Sequence, residues 1–406
     1  MRASHCGLRD SRTMNQQTSH RGAVIIGGSF HSLGAVRRLA AHGLPVHVLD
    51  TGVCVSQFSR DTERFVTCPA VDDEARFVDF LLQIADEMHL EGAVLFPSTD
   101  ESVRVLAQNR ERLAACYALT TPPWETVRFL YDKRLTYRLA EDRGVPVPET
   151  RNPESAESLD PLDLRFPVVI KPAEGKKFMS VTKKKAYRAN DRTELASLYA
   201  QAAAVIDPSE ILIQELIPGR TANLYSFVGY FRDGTPVAGL SARRLRQHPM
   251  EFGRASTYVE TVDLPELERL ATQLLTGIGY SGLAEVEFMW NEKAARFELL
   301  EVNPRLWGWH TITVRAGLDL PYLAYADAIG VSVPEPSAIQ DVKWVRLVTD
   351  IPTVLSEMLA RRLTLRQYLD SMSGNLECAV FSLRDPLPFI ADMLLAPYNY
   401  VSNRGF

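Results

Sequence analysis

Cysteine is scarce in this sequence: Cys6, Cys54, Cys68, Cys116 and Cys378 are scattered over 406 residues without a CxxC pair. So odd and dispersed a set excludes a disulfide framework and a thiolate zinc site, and it fits a reducing compartment. No uninterrupted apolar run reaches the roughly 18 residues that cross a bilayer. The first twenty residues are largely polar and lack the apolar stretch of a signal peptide. Positive charge is not in excess either. Lys and Arg number 45 against 50 Asp and Glu, a net charge of -5 with a pI near 6.0, so the basic footprint of a nucleic-acid binder is missing. A Gly-x-x-x-x-Gly-Lys-Ser/Thr loop and a His-Arg-Asp loop are also lacking, which removes the P-loop and protein-kinase readings. What remains is a cytoplasmic protein with no membrane span and no nucleic-acid partner.

What is present is an ordinary globular composition, 46% hydrophobic and 23% charged, at a length that predicts two or three domains of about 150 residues. Residues 1–20 read as a disordered extension, with Met14 an alternative start to Met1. From Ala23-Val-Ile-Ile-Gly-Gly28 onward, buried-type strands at 23–28, 44–50 and 92–97 alternate with helical patterns at 29–42, 71–88 and 99–115. Such alternation predicts an open, mostly parallel α/β sheet over 21–120. Thr121-Pro122-Pro123 breaks the pattern, and a helix follows over 124–143. Short strands at 166–171, 211–215, 224–232 and 237–245, with helices at 191–205 and 265–276, predict an α+β texture over 121–330. Helical pieces at 353–363 and 364–372 mark 331–406 as a mostly helical C-terminal segment.

The most informative stretch runs from Gly282 to Trp290 and, after a turn, from Phe297 to Arg305. As a hairpin centred near Ala294 it sets Glu287 opposite Glu301, with Cβ atoms about 5 Å apart, and puts Asn303 on the same face as Glu301. Two bare carboxylates facing each other repel, and a divalent cation between them removes the conflict. Oxygen-only ligation with few carboxylates suits Mg²⁺ that also binds phosphates. The competing reading is a surface hairpin with solvated acids.

Glu301-Val-Asn303-Pro-Arg305, preceded fourteen residues earlier by the acid of Val286-Glu287-Phe288, resembles the metal-binding signature of the ATP-grasp superfamily. The likeness extends over about residues 23–330 and is nearest to carbamoyl-phosphate-synthase-like and D-aspartate-ligase-like carboxylate–amine ligases. It implies an N-terminal Rossmann-like domain over 21–120 and two ATP-grasp subdomains over 121–330, with a lid at about 145–210. It further implies ATP with two magnesium ions, or manganese, held by Glu287, Glu301 and Asn303, with Arg305 beside them.

The same resemblance assigns further residues. Tyr131-Asp132-Lys133 and Phe166-Pro-Val-Val-Ile-Lys171 each offer a lysine to the ATP phosphates. Ile211-Leu-Ile-Gln214-Glu215-Leu216-Ile217-Pro-Gly219 resembles the adenine strand and hinge, with Gln214 on the nucleotide, Glu215 accepting from the exocyclic amine and the backbone of Leu216 and Ile217 completing the edge. The ribose-binding acid of relatives is missing, and Asn223 is the nearest polar substitute. Their glycine-rich lid loop is reduced to Ala173-Glu-Gly-Lys176-Lys177-Phe178. In Arg243-Arg244-Leu-Arg246-Gln-His-Pro249, followed by Phe252-Gly253, alternation sets Arg244 and Arg246 on one face, with Arg244 for the γ-phosphate and acyl phosphate and Arg246 a weaker candidate. Trp307, Trp309 and His310 fall nearest an acceptor pocket or else in the core.

The activity implied is ATP-dependent ligation of a small carboxylate, such as an amino acid, to an amine through an acyl phosphate, with release of ADP and phosphate. A homodimer is compatible with it. Two alternatives come from other classes. Gly27-Gly28-Ser-Phe-His-Ser-Leu-Gly34, with Asp50 ending the next strand, resembles a dinucleotide-binding fingerprint and would make the protein an NAD-dependent oxidoreductase. A catalytically inactive ATP-binding regulator would keep the nucleotide residues without turnover.

Overall fold

The computed structural model describes residues 21–159, 162–219, 221–250, 253, 255–334 and 338–402, apart from the side chains of Lys176 and 398–402. The expected N-terminal extension, the choice of start and Phe252 lie outside the described residues.

Strands β1 (Ala23–Ile26), β2 (Val46–Asp50), β3 (Arg64–Thr67), β4 (Val94–Pro97) and β5 (Ala118–Leu119) form a wholly parallel sheet in the order β3-β2-β1-β4-β5. All four residues of β1 are buried. Ala23 and Ile25 enter one core with α1 (Phe30–Ala41), while Val24 and Ile26 enter the other with α2 (Glu74–Glu87). A period of two thus feeds both faces, as a strand covered on each side requires. After β4 come α3 (Asp100–Gln108), begun by a Thr99–Ser102 capping box, and the short α4 (Arg110–Ala114).

The helix expected over 124–143 is in fact two, α5 (Trp124–Tyr131) and α6 (Lys133–Asp142). Asp132 adopts an extended conformation between them and its side chain accepts from the Arg134 amide, so a capping residue breaks what the apolar spacing alone would continue. Lys133 therefore occupies the first position of a helix.

A four-stranded antiparallel sheet, β6-β9-β7-β8, contains β6 (Thr150–Arg151), β7 (Val168–Pro172), β8 (Tyr187–Ala189) and β9 (Ile211–Glu215). It carries α7 (Gly175–Thr182) and α8 (Arg192–Ala203). The segment read as a shortened lid loop is the first turn of α7.

The largest sheet has the order β14-β13-β10-β11-β12-β15-β16. It comprises β10 (Leu224–Arg232), β11 (Thr235–His248), β12 (Ala255–Val262), β13 (Gly282–Asn291), β14 (Arg296–Asn303), β15 (Val342–Val345) and β16 (Asn375–Cys378). Helix α9 (Pro265–Thr276) buries Leu267, Leu270, Leu274 and Leu275 against it. Beyond the hairpin follow α10 (Thr311–Arg315), α11 (Leu320–Ala328), α12 (Leu347–Leu359), α13 (Leu365–Ser371) and α14 (Leu387–Ser402). The C-terminal segment is helical in large part, but it is not a tail. Strands β15 and β16 extend the central sheet, and Arg346 pairs with Asp392 in the interior. Four-residue strands carry too little pattern to be told from helix by periodicity. Among the described residues, no helix is long and apolar enough to cross a membrane.

Candidate functional site

A cleft of about 1810 Å³ lies between the four-stranded sheet and the central one, and residues of α5, α6 and α12 also line it. That exceeds the roughly 300–1,000 Å³ of a site for one small ligand. It has room for a nucleotide and further substrates.

The hairpin of β13 and β14 forms the floor. Glu287 stands directly opposite Glu301, and Glu285 opposite Asn303. The pairing holds despite an irregularity between Glu287 and Phe288, where the register moves by one residue and Leu300 becomes the extra one. Alternation along β13 brings Glu285 beside Glu287. Asn303 Nδ2 donates to both, at 3.1 Å to Glu285 Oε2 and 3.0 Å to Glu287 Oε1. Arg244 reaches across β10 from β11, its Nη2 3.0 Å from Glu287 Oε2 and 3.7 Å from Glu285 Oε1. Ser226 Oγ on the intervening strand also donates to Glu285, at 3.3 Å. Burial, reinforced by the neighbouring Glu287, pushes the Glu285 carboxyl well above the usual carboxylate range, and Arg244 only partly offsets this.

Two lysines face the hairpin from the other side. Lys133 Nζ is 3.7 Å from Glu301 Oε2. Burial alone would depress Lys133, but Glu301, Tyr137 and Asp100 outweigh it and hold the ammonium above its ordinary value. Burial likewise opposes ionisation of Glu301, yet Lys133, Lys185, Lys171 and Arg244 together keep its carboxyl well below the ordinary range. One turn beyond Lys133 on α6, Tyr137 donates to the Leu300 carbonyl at 2.7 Å and accepts from Lys171. Lys171 Nζ also donates to Gln214 Oε1 at 2.7 Å and stands 4.9 Å from the centre of the Tyr137 ring. Burial and the nearby Lys133 lower Lys171 to about 7.

Arg305 closes the near end. Its Nε is 2.6 Å from Asp100 Oδ1, and its Nη2 donates to Asn303 Oδ1 at 3.1 Å. Glu285, Asp100, Tyr137 and the cleft-lining Lys183 and Lys185 were not singled out by sequence. Two signals could have found some of them: Glu285 shares a strand face with Glu287, and Lys183-Lys184-Lys185 is a basic run.

Gln214, Glu215, Leu216 and Ile217 line the cleft. Gln214 Nε2 donates to Thr150 Oγ1, Glu215 pairs with Arg165 at 3.2 Å, and the Leu216 amide is taken by the Pro167 carbonyl. Other expectations are corrected. Asn223 is not part of the cleft wall; its amide donates to Glu292 at 2.9 Å. Arg246 does not share a face with Arg244, because β11 shifts register against β12 on both sides of Arg246. Its guanidinium instead meets Asp350 in the interior at 2.7 Å. Trp307, Trp309 and His310 are buried in the core and are not among the residues that line the cleft. His310 Nδ1 donates to the Trp307 carbonyl at 2.9 Å, and burial lowers its pKa to about 4. In the dinucleotide-like turn, Asp50 Oδ2 accepts from the Gly28 amide at 2.7 Å, so that acid is tied to its own loop.

Glu287, Glu301 and the Asn303 amide offer hard oxygen donors, and the two acids now face cations that a metal ion could replace. Among the described residues, no three His, Cys, Asp or Glu side chains form a ready-made metal group. The donor set therefore fits Mg²⁺, which keeps waters and takes phosphate oxygens, better than a metal caged by protein alone.

A family model described as "ATP-grasp in the biosynthetic pathway with Ter operon" matches residues 241–351. The D-aspartate ligase of Enterococcus faecium (strain Aus0004) is 21% identical over 274 residues, covering 64% of this chain and 65% of that protein. The chain thus spans slightly under two thirds of that relative. Biotin carboxylase from Campylobacter jejuni, solved with β-γ-ATP, superposes with a TM-score of 0.62 at 16% identity, over 80% of this chain and 74% of that one. L-amino acid ligase from Bacillus licheniformis does so with a TM-score of 0.59 at 17% identity, over 79% and 75%. By its match to that family model the chain resembles ATP-grasp proteins over residues 241–351.

Proposed function

We propose that the protein is an ATP-dependent carboxylate–amine ligase that forms an acyl phosphate and releases ADP and phosphate. The observation that carries this reading is the opposed pair Glu287 and Glu301, flanked by Arg244, Lys133 and Lys171 in a cleft large enough for nucleotide and substrates together. Bound Mg²⁺, one ion or two, would be held by Glu287, Glu301 and Asn303 and would supply charge neutralisation at the phosphates.

In this reading Lys133 and Lys171 bind the triphosphate, and the hinge of Gln214 to Ile217 takes the base. A carboxylate oxygen of the donor attacks the γ-phosphorus, the bond to the β-phosphate oxygen breaks and ADP leaves. The amine nitrogen then attacks the acyl carbon, the bond to the phosphate oxygen breaks and inorganic phosphate leaves, while the amine proton is lost. Such phosphoryl transfer depends on positioning and electrostatics rather than covalent help from the protein. Arg244 and Arg305 stand where developing negative charge on the acyl phosphate would be met, and Arg305 would orient the donor carboxylate. Guanidinium suits both roles through paired N–H donors.

Arginines at the cleft favour a small amino or hydroxy acid as donor, and the likeness to a D-aspartate ligase and an L-amino acid ligase supports the amino-acid class. ADP and phosphate release with a panel of amino acids and amines tests the reading. AMP and pyrophosphate as products would reject it.

A further inference from the structure

Eleven of the sixteen large apolar side chains exposed among the described residues fall within 351–394, nine of them on the C-terminal helices. Ile351, Leu355 and Leu359 form an i, i+4, i+8 row on α12, with Leu359 87% exposed. Leu365 and Leu369 continue it on α13, and Leu387, Ile390, Met393 and Leu394 give α14, which packs on α12, a face of its own. Exposed apolar rows of this kind on a folded chain mark an interaction surface.

Charge on this surface is one-sided. Arg361, Arg366 and Arg384 are exposed, and Arg366 is 93% so. The acids of the same stretch mostly turn inward: Asp385 binds Arg37, Asp392 binds Arg346, and Glu357 binds Arg362. Asp370 is the exposed acid, and it lies beside Arg366. An apolar and cationic face therefore stands out from a chain whose net charge is -5.

We propose that this face docks the protein on an anionic membrane surface as a peripheral contact. Apolar rows flanked by arginine gain both from burial at the headgroup boundary and from attraction to anionic lipid. A second copy is the poorer occupant, because a two-fold contact would set the arginines of one copy against those of the other with Asp370 as the exposed counter-charge. Pro352 and Ser356, each about 100° around the helix from Ile351 and Leu355, line the cleft. Docking would thus bring a bilayer alongside the cleft.

Flotation of the full chain with phosphatidylcholine vesicles, with and without about a third phosphatidylglycerol, tests the proposal. Binding to the anionic vesicles alone, weakened by salt, is expected. Each of Arg361→Ala and Arg366→Ala should weaken it about fivefold. The double variant Leu355→Asp/Leu359→Asp should abolish it with melting unchanged, since both side chains are exposed. Equal binding to neutral vesicles, or binding to neither, overturns the proposal. So does a monomer–dimer equilibrium removed by Leu359→Asp in a protein that ignores vesicles, which would assign the face to a second copy.

Discussion

Arg305 and Asp100 form a two-point ion pair, Nε to Oδ1 at 2.6 Å and Nη2 to Oδ2 at 3.3 Å. It joins the strand end that carries Asn303 to the first turn of α3, which follows the parallel sheet. Removing the acid should free Arg305 to leave Asn303. Asp100→Asn is therefore expected to lower turnover about 10- to 100-fold, as the loss of a ligand-orienting partner does, while ATP still raises the melting temperature. Steady-state rates beside thermal shifts check this, and loss of the nucleotide shift would place Asp100 in ATP binding instead.

Glu301→Ala should abolish turnover and lose the thermal stabilisation by Mg-ATP. The unliganded protein should also lose about 1 kcal/mol, because the side chain is one-third exposed and its pairing with Lys133 is screened. A bare pair of repelling acids would predict the opposite sign, but Lys133 and Arg244 already neutralise them. Since the folded Glu301 carboxyl is held below its ordinary value, its contribution is present above about pH 4.3 and is lost as pH falls through the folded pKa. Urea unfolding of both proteins between about pH 3 and 7 measures the difference, which should shrink at the acid end.

Lys171, lowered to about 7, is largely neutral in the unliganded protein at pH 8. The unfolded chain keeps this lysine protonated up to about pH 10.4. Stability should therefore rise with pH between those values, because the unfolded state binds the extra proton. Nucleotide phosphates favour the ammonium, so binding of ATP at pH 8 should take up to about one proton. Calorimetry in two buffers of different ionisation enthalpy reads that uptake. It should vanish in Lys171→Gln, and its absence in the wild type would show that the lysine is already charged.

Arg246 and Asp350 are buried together, the carboxylate also accepting from Thr257 at 2.9 Å. Arg246→Ala leaves that acid unpaired in the interior and should cost about 3–5 kcal/mol. The increment in stability on adding Mg-ATP should be unchanged, since this arginine lies outside the cleft. A variant of normal stability with impaired nucleotide binding would return Arg246 to the site.

Much of the chemistry was legible because it is local. Glu287, Glu301 and Asn303 sit on a hairpin whose alternation and turn position set their neighbours within a few residues. Lys133 and Lys171 were found by their order relative to that hairpin, not by any pattern of their own. Three misreadings share one cause, an interruption of regular geometry. Asp132 breaks a helix, a register shift turns Arg246 into the interior, and the first turn of α7 replaces a loop. Trp307 and His310 follow the metal motif directly, yet the chain turns there and buries both against α1.

By itself, the sequence determined the alternating α/β opening and the acidic hairpin, because period-two and period-3.6 patterning act over short spans. Only the tertiary structure decided that Arg305 meets Asp100, that Arg244 crosses a strand to Glu287, and that β15 and β16 complete the central sheet. Those contacts join residues between about 40 and 200 positions apart. Their geometry depends on how whole sheets and helices pack, which no local pattern encodes.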